Sequence, residues 1–392
     1  MVEKIKIPGE IWILVVAAFF IALGYGFISP ILPQFVISFG VGVAAASAVI
    51  SIFGFSRLIF APMSGKLVDR LGARWVYITG LLVVAVTTAL VALAQSYWHI
   101  VVLRGLAGFG STMFTVSAMG LIVKLAPAQI RGRCSSAYAS GFLLGSVLGP
   151  AFGSFLSVLG FRWPFVIYGG FLAIAAAVVW LRMPVTIGAP SLGDGREVFG
   201  FSEAWSDRTY RTMLVSAFAN GWVNFGVRVA IVPLFIAATV DKPGVVAGVV
   251  LSAYALGNAV TLQFSGRLTD RVGRKKPIIG GLLVSAVFTS VFGLSDNLVL
   301  MVTFAILAGI GSGMYNPAIQ ALLADIVGAD RNGGKPLAAY QMAGDLGAIM
   351  GPLLIGFAVQ LWGFAVAFAG TSVVLFLSAG LWLTARETWV RQ

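Results

Sequence analysis

Apolar residues run through this sequence in blocks of about 20, each closed by a short charged or Pro/Gly-containing break, and without the two-residue alternation of a half-buried strand. At 1.5 Å per residue, about 20 residues cross a hydrocarbon layer about 30 Å thick, so each block predicts a transmembrane helix. The blocks fall at 11 to 30, 44 to 63, 75 to 95, 99 to 123, 134 to 158 and 164 to 182, then at 210 to 239, 245 to 264, 277 to 294, 299 to 324, 337 to 360 and 364 to 385. The pattern is that of an all-α membrane protein with twelve transmembrane helices. Its longest polar interruption divides the chain into an N-terminal six-helix bundle, 1–183, a cytoplasmic linker, 184–208, and a C-terminal six-helix bundle, 209–392.

The two bundles repeat one another at a spacing of roughly 200 residues, the internal symmetry of many transporter folds. Gly65-Lys-Leu-Val-Asp69-Arg70-Leu-Gly72 recurs as Gly266-Arg-Leu-Thr-Asp270-Arg271-Val-Gly273. Leu106-Ala-Gly108-Phe-Gly110-Ser111 recurs as Leu307-Ala-Gly309-Ile-Gly311-Ser312, and Gly145-x-x-x-Gly149-Pro150 as Gly347-x-x-x-Gly351-Pro352. Tyr25-Gly26 with Pro33 and Phe35 matches Phe225-Gly226 with Pro233 and Phe235. Four matches in the same order indicate duplication.

Composition narrows the class. Hydrophobic residues make up 59% and charged residues 10% of the 392, against about 25% charged in soluble domains. The 48 glycines suit helices that pack closely in lipid, and the continuous Leu/Val/Ala/Ile runs are not those of an outer-membrane barrel. The net charge of +12 is spread over short loops, which argues against a nucleic-acid surface. With the N-terminus inside, Lys66, Arg70, Arg74, Arg271, Arg274, Lys275, Lys276 and most other basic loop residues are cytoplasmic, and only Arg162 and Lys242 lie in outer loops. Both termini are then cytoplasmic in a multi-pass protein of the inner membrane, and the segment after Lys4 and Lys6 is an uncleaved first helix. Cys134 and His99 are the only Cys and His, which leaves no intramolecular disulfide, no cysteine metal cluster and no multi-histidine site. No cofactor or metal is expected. Zinc, Ser/His/Asp and phosphate-loop motifs are missing, and Gly108-x-Gly110 lies inside a membrane helix with no preceding strand, so the chain does not read as an enzyme.

At the repeated residues the chain resembles the major facilitator superfamily, whose loop between helices 2 and 3 reads Gly-x-Leu-x-Asp-Arg-x-Gly-Arg followed by Arg or Lys. The first copy has Ala73 at the first basic position, with Arg74 next; the second, with Arg274 and Lys275, is complete. Gly145, Gly149, Pro150 and Gly153 in the fifth span resemble the antiporter motif of the drug/proton antiporters, with Ser154 in place of a final Gly, and Arg104-Gly105 resembles the conserved arginine region of that family. The resemblance implies helices 1, 4, 7 and 10 around a central cavity, halves that rock about it, and efflux driven by proton entry. It also implies that the fifth helix packs against the eighth and seals the cavity. A small-molecule substrate, protons and membrane lipid are the expected partners of a monomer that binds no nucleic acid. Unlike many drug/proton antiporters, span 1 holds no acid, so proton coupling through helix 1 is unavailable.

Gly65, Asp69, Arg70, Gly72 and Arg74, with Gly266, Asp270, Arg271, Gly273 and Arg274, read either as solvated turns or as a conformational latch, and the specificity of the motif favours the latch. Ionisable side chains inside hydrocarbon are costly and point to function. Arg57, Arg104, Arg228 and Asp345 are of this kind, and Arg57 is near enough to the cytoplasmic end to snorkel. Asp345, about nine residues and so ~14 Å into its span, is either the protonation site or half of a buried ion pair. Arg104, on the family motif it resembles, is assigned to proton coupling with substrate orientation as the alternative, and Arg228 to an anionic substrate group or a carboxylate. Tyr25, Met113, Phe114, Asn220, Asn224, Tyr315, Asn316 and Gln320 are candidate cavity contacts, each with helix packing as its alternative. The alternative function is export or flipping of one endogenous metabolite, sugar or lipid.

Overall fold

In lipid, every backbone N–H and C=O must be satisfied within its own segment, so these apolar blocks close into helices. The computed structural model describes residues 7–125, 131–184, 200–240, 243–327 and 334–387, nearly all helical. Ten of the described helices are long and apolar enough to cross a membrane. One of these, Ala338–Leu383, is broken at Gly363 (φ 81°), where it divides into two spans. Arg131–Leu156, with its apolar stretch Ala137–Gly153, accounts for the remaining block.

Two units are distinguished, one of Met1–Phe39 with Ile52–Leu192, the other of Gly40–Ser51 with Gly193–Gln392. The first contains α1 (Gly9–Ile28), α2 (Leu32–Ile37), most of α3 (Val43–Leu71), α4 (Ala73–Val91), α5 (Tyr97–Leu125), α6 (Arg131–Leu156) and α7 (Trp163–Arg182). Here α1 packs mainly on α6, and α4 on α5 and α7. The second contains α8 (Phe201–Ser206), α9 (Arg208–Gly221), α10 (Val232–Thr239), α11 (Pro243–Val272), α12 (Lys275–Phe292), α13 (Leu298–Val327) and α14 (Gly334–Leu383). There α11 and α12 pack on α13, while α9 and α12 pack on α14. The expected linker falls partly outside the described residues, at 185–199, and its end carries α8 and Asp207, whose carboxylate caps α9 by accepting from Thr209 N (2.7 Å).

Two features depart from the hydropathy pattern. The repeated charged motifs are not loops: Gly65–Leu71 and Gly266–Val272 form the last turns of α3 and α11, because helical hydrogen bonding continues where apolarity stops. Each turn bends at one glycine, Gly72 (φ 84°) or Gly273 (φ 88°), in backbone that a Cβ would strain. The seventh span is also not one regular helix. Between α9 and α10 the segment Trp222–Ile231 winds in wide π-type turns, ended by Pro233, which has no N–H to offer the carbonyl four residues back.

Glycine pairs from different repeated motifs form the helix crossings. A Cβ on Gly26 would fall 2.6 Å from Gly149 Cα, and one on Gly226 would fall 2.8 Å from the carbonyl carbon of Gly351. Apolar helices gain nothing by hiding from lipid tails, so backbone approach of this kind supplies dispersion contact in place of a hydrophobic drive. Several buried polar atoms are satisfied between helices of the second unit. Trp382 Nε1 donates to Ser216 Oγ (2.7 Å), Ser216 pairs with Ser378 (2.9 Å), and Tyr210 OH donates to Pro336 O (2.8 Å).

Candidate functional site

The second unit assembles a polar ladder around the wide turn. Asn220, Asn224 and Arg228 recur at four-residue intervals and share one face. Arg228 Nη1 donates to Asn224 Oδ1, and Asn224 Nδ2 donates to Asn220 Oδ1 (2.9 Å), which also accepts from the buried Tyr315 hydroxyl of α13 (2.9 Å). A turn earlier in α13, Ser312 Oγ accepts from Asn316 Nδ2 (3.0 Å) and from Asn258 Nδ2 of α11 (3.2 Å). The Arg228 guanidinium lies 4.0 Å from the centre of the Tyr254 ring, and its Nε is buried without a hydrogen-bond partner. Asn220, Asn224, Arg228 and Tyr315 are thus brought into one network. Asn316 joins Ser312 instead, and Gln320, exposed, reaches only Tyr340 OH at 3.5 Å.

Asp345 is on α14, half-buried, with Oδ1 accepting from Gln341 Nε2 (3.3 Å) one turn earlier.

In the first unit Arg104 is 3% exposed, stacked 4.3 Å from the Phe53 ring centre, and in electrostatic contact with Tyr25 and Tyr168. Its Nε too is buried without a hydrogen-bond partner. Met113 and Phe114 are buried against α4: a Cβ on Gly80 would fall 2.9 Å from Met113 Cβ, and Phe114 meets Tyr77 edge-on. Packing, the alternative held open for both, describes them. Arg57 Nη1 donates to Ser111 Oγ of α5 (3.4 Å).

The small-residue stripe of α6 meets backbone inside its own unit. Cβ atoms on Gly145, Gly149 and Gly153 would fall 2.3–2.8 Å from the carbonyl oxygens of Phe19, Leu23 and Phe27. Within its own unit the stripe lies against α1, which runs close enough for backbone to fill the groove that these glycines leave.

At the motif ends, the side chains of Asp69, Asp270 and Arg271, together with Gly266, lie outside the described residues; Gly65 has open space around it and Arg70 is exposed. Arg74 is buried and donates through Nη2 to Trp180 O (2.6 Å) in the last turn of α7. Lys275, its counterpart in the repeat, donates through Nζ to Leu383 O (2.9 Å) at the end of α14. Both cations complete the unpaired carbonyls of a helix C-terminus, where the helix dipole also favours positive charge. Arg274 instead pairs through Nε with Asp325 Oδ2 (3.2 Å), while the backbone N–H groups of Arg274 and Lys275 donate to the Glu387 carboxylate (both 3.0 Å). The first repeat carries Ala73 and Lys124 at the positions of Arg274 and Asp325, so both halves of the ion pair are replaced together. The Asp325 side chain is 34% exposed, and Asp325→Asn is expected to lower stability by no more than about 1 kcal/mol, read as a small fall in the melting midpoint of the detergent-purified protein.

Sequence reasoning passed over Phe53, Tyr254, Tyr168, Asp325 and Glu387. The first two occupy the same position of the repeat, a signal that aligning the two halves of the chain would have given.

The sequence profile of the Major Facilitator Superfamily matches residues 14–232 and 213–391. Multidrug resistance protein MdtG of Proteus mirabilis is 25% identical over 390 residues, covering 94% of each chain. A homolog of the multidrug resistance efflux pump PmrA from Lactococcus lactis is 23% identical, covering 93% of this chain and 91% of its own. Among solved structures, a bacterial homolog of the human lysosomal transporter Spinster, in an inward-facing and unoccupied conformation, superposes with a TM-score of 0.79 at 16% identity, covering 96% of both chains.

Proposed function

The chain belongs to the Major Facilitator Superfamily, and on that premise we propose that it is a secondary transporter of multidrug type, exporting small amphipathic or apolar compounds in exchange for protons. The observation that carries this reading is the match, along nearly the whole chain, to relatives named for multidrug resistance and efflux. Alternating access by the two six-helix bundles, 1–183 and 209–392, joined through 184–208, supplies the cycle. In it the charged ends of α3 and α11 act as the latch, setting state populations without touching substrate. Asp345 carries the proton, since it is the acidic residue placed well inside a span, and Arg104 assists. The protein acts as a monomer in the inner membrane with both termini cytoplasmic, the orientation that Lys and Arg placement favours.

Extrusion of a fluorescent drug from cells expressing the protein tests this. Extrusion that stops when an uncoupler collapses the proton gradient is expected, and extrusion indifferent to the uncoupler would refute coupling. The second reading, export of one endogenous metabolite or lipid, is favoured by Arg228, a cation suited to an anionic group. A growth or lipid defect on deletion, without drug sensitivity, would select it.

A further inference from the structure

Each unit holds a guanidinium inside its spanning helices, laid on an aromatic ring. Arg104 of α5 covers Phe53 and Arg228 of the wide turn covers Tyr254, at 4.3 and 4.0 Å. The repeat pairs the rings but not the arginines: Ala305 stands at the repeat position of Arg104 and Ile28 at that of Arg228. The same ring niche therefore receives its cation from a different helix in each unit, which duplication alone does not produce.

Among the described residues, those around Arg228 leave its charge uncompensated. Asn224 Oδ1 accepts from it and the Tyr254 ring lies beneath it, both neutral, and its Nε is unpartnered. Asn224 Nδ2 donates to Asn220 Oδ1, which also accepts from the Tyr315 hydroxyl, so the ladder supplies oxygens and no negative charge. On the other side Arg228 borders a cavity of about 30 Å³, room for about one water, walled by apolar side chains such as Val227, Leu251, Phe288 and Phe304. A cation held in hydrocarbon on neutral contacts alone is costly, and a bound anion offsets that cost.

We infer that Arg228 is the recognition point for a compact oxyanion, a carboxylate or phosphate, attached to an apolar body. The guanidinium fork matches oxyanion geometry, stacking on Tyr254 fixes its plane, and the apolar side chains beside it suit the body, which the one-water cavity admits once they part. The inference rests on the transporter reading and narrows it, making anionic amphiphiles preferred over cationic ones. A soluble organic acid and an anionic lipid headgroup share this chemistry.

The test uses the full-length protein in phosphatidylcholine bilayers and three probes with one pyrene body: pyrenebutyrate, pyrenebutanol and pyrenebutylamine. Wild type is expected to bind the carboxylate at least about tenfold more tightly than the other two. Arg228→Gln should erase that preference and Arg228→Lys should weaken it. An ammonium preference in wild type, or an unchanged ratio in Arg228→Gln, overturns the assignment. Should Arg228→Gln fail to fold, Arg228→Lys decides: a several-fold fall in the ratio supports the fork, and an unchanged ratio overturns it. Displacement of pyrenebutyrate by added phosphatidylglycerol assigns the site to a lipid headgroup, and displacement by octanoate alone assigns it to an organic acid. Wild-type vesicles without counterflow of any probe sink the transporter reading itself, whereas counterflow of all three without discrimination sinks only the anion assignment.

Discussion

Gly149→Val is expected to leave almost no folded protein in the membrane, and Gly149→Ala to lower its stability by about 2 to 3 kcal/mol, at the upper end for overpacking. The reason is geometric. A Cβ at this position would fall 2.6 Å from Leu23 O and 2.7 Å from Gly26 Cα, both backbone atoms, so no rotamer change relieves the clash. The α1–α6 seam must open along its length, and in lipid no hydrophobic drive closes it again. Gly351→Ala, with nearest contacts of 2.9 Å to Trp222 Cα and O, should do the same more mildly in the second unit. Gly170→Ala, with open space around it, is the control and should be neutral or slightly stabilising. Thermal unfolding in detergent, followed by size-exclusion chromatography, reads all three. Equal midpoints for Gly149→Ala and Gly170→Ala would show that the crossing is not what holds the unit together.

Asp345→Asn should abolish gradient-driven extrusion, a loss of more than about tenfold in steady-state drug gradient, while leaving gradient-independent counterflow largely intact. An amide keeps the shape and the hydrogen bond from Gln341 but can neither take up nor release the proton. Coupling and translocation then separate, which simple misfolding would not produce. Proton-coupled uptake of a substrate into inverted vesicles is the measurement. Unchanged coupling in this variant would move the proton site elsewhere and would leave Asp345 as a helix-fixing residue.

Much of the architecture is legible in the residue pattern. The duplication singles out, from residue identities alone, the glycines that touch in the fold: Gly26 and Gly149 come from two separate matches, and they meet each other just as Gly226 and Gly351 do. Small residues at a backbone crossing admit almost no substitution, so both copies keep them. Less legible are the partners of charged groups. Arg74 and Lys275 read as positive-inside signals, yet they cap helix ends more than 100 residues away in sequence. Met113 and Phe114 read as pocket lining or packing and are buried against α4, a choice the sequence leaves open because hydropathy does not tell a lipid-facing, a cavity-facing and a packed apolar side chain apart.

By itself the sequence determined that this protein is membrane-embedded, all-helical and duplicated, since hydrocarbon allows few backbone solutions and about 20 apolar residues signal a crossing without reference to neighbours. Only the tertiary structure decided that α6 lies on α1, that the seventh span widens before Pro233, and that Arg228 rests on Tyr254 in a ladder free of carboxylates. Those outcomes depend on which faces of distant helices meet. Within a helix that is apolar all round, no periodicity marks one face as the inner one.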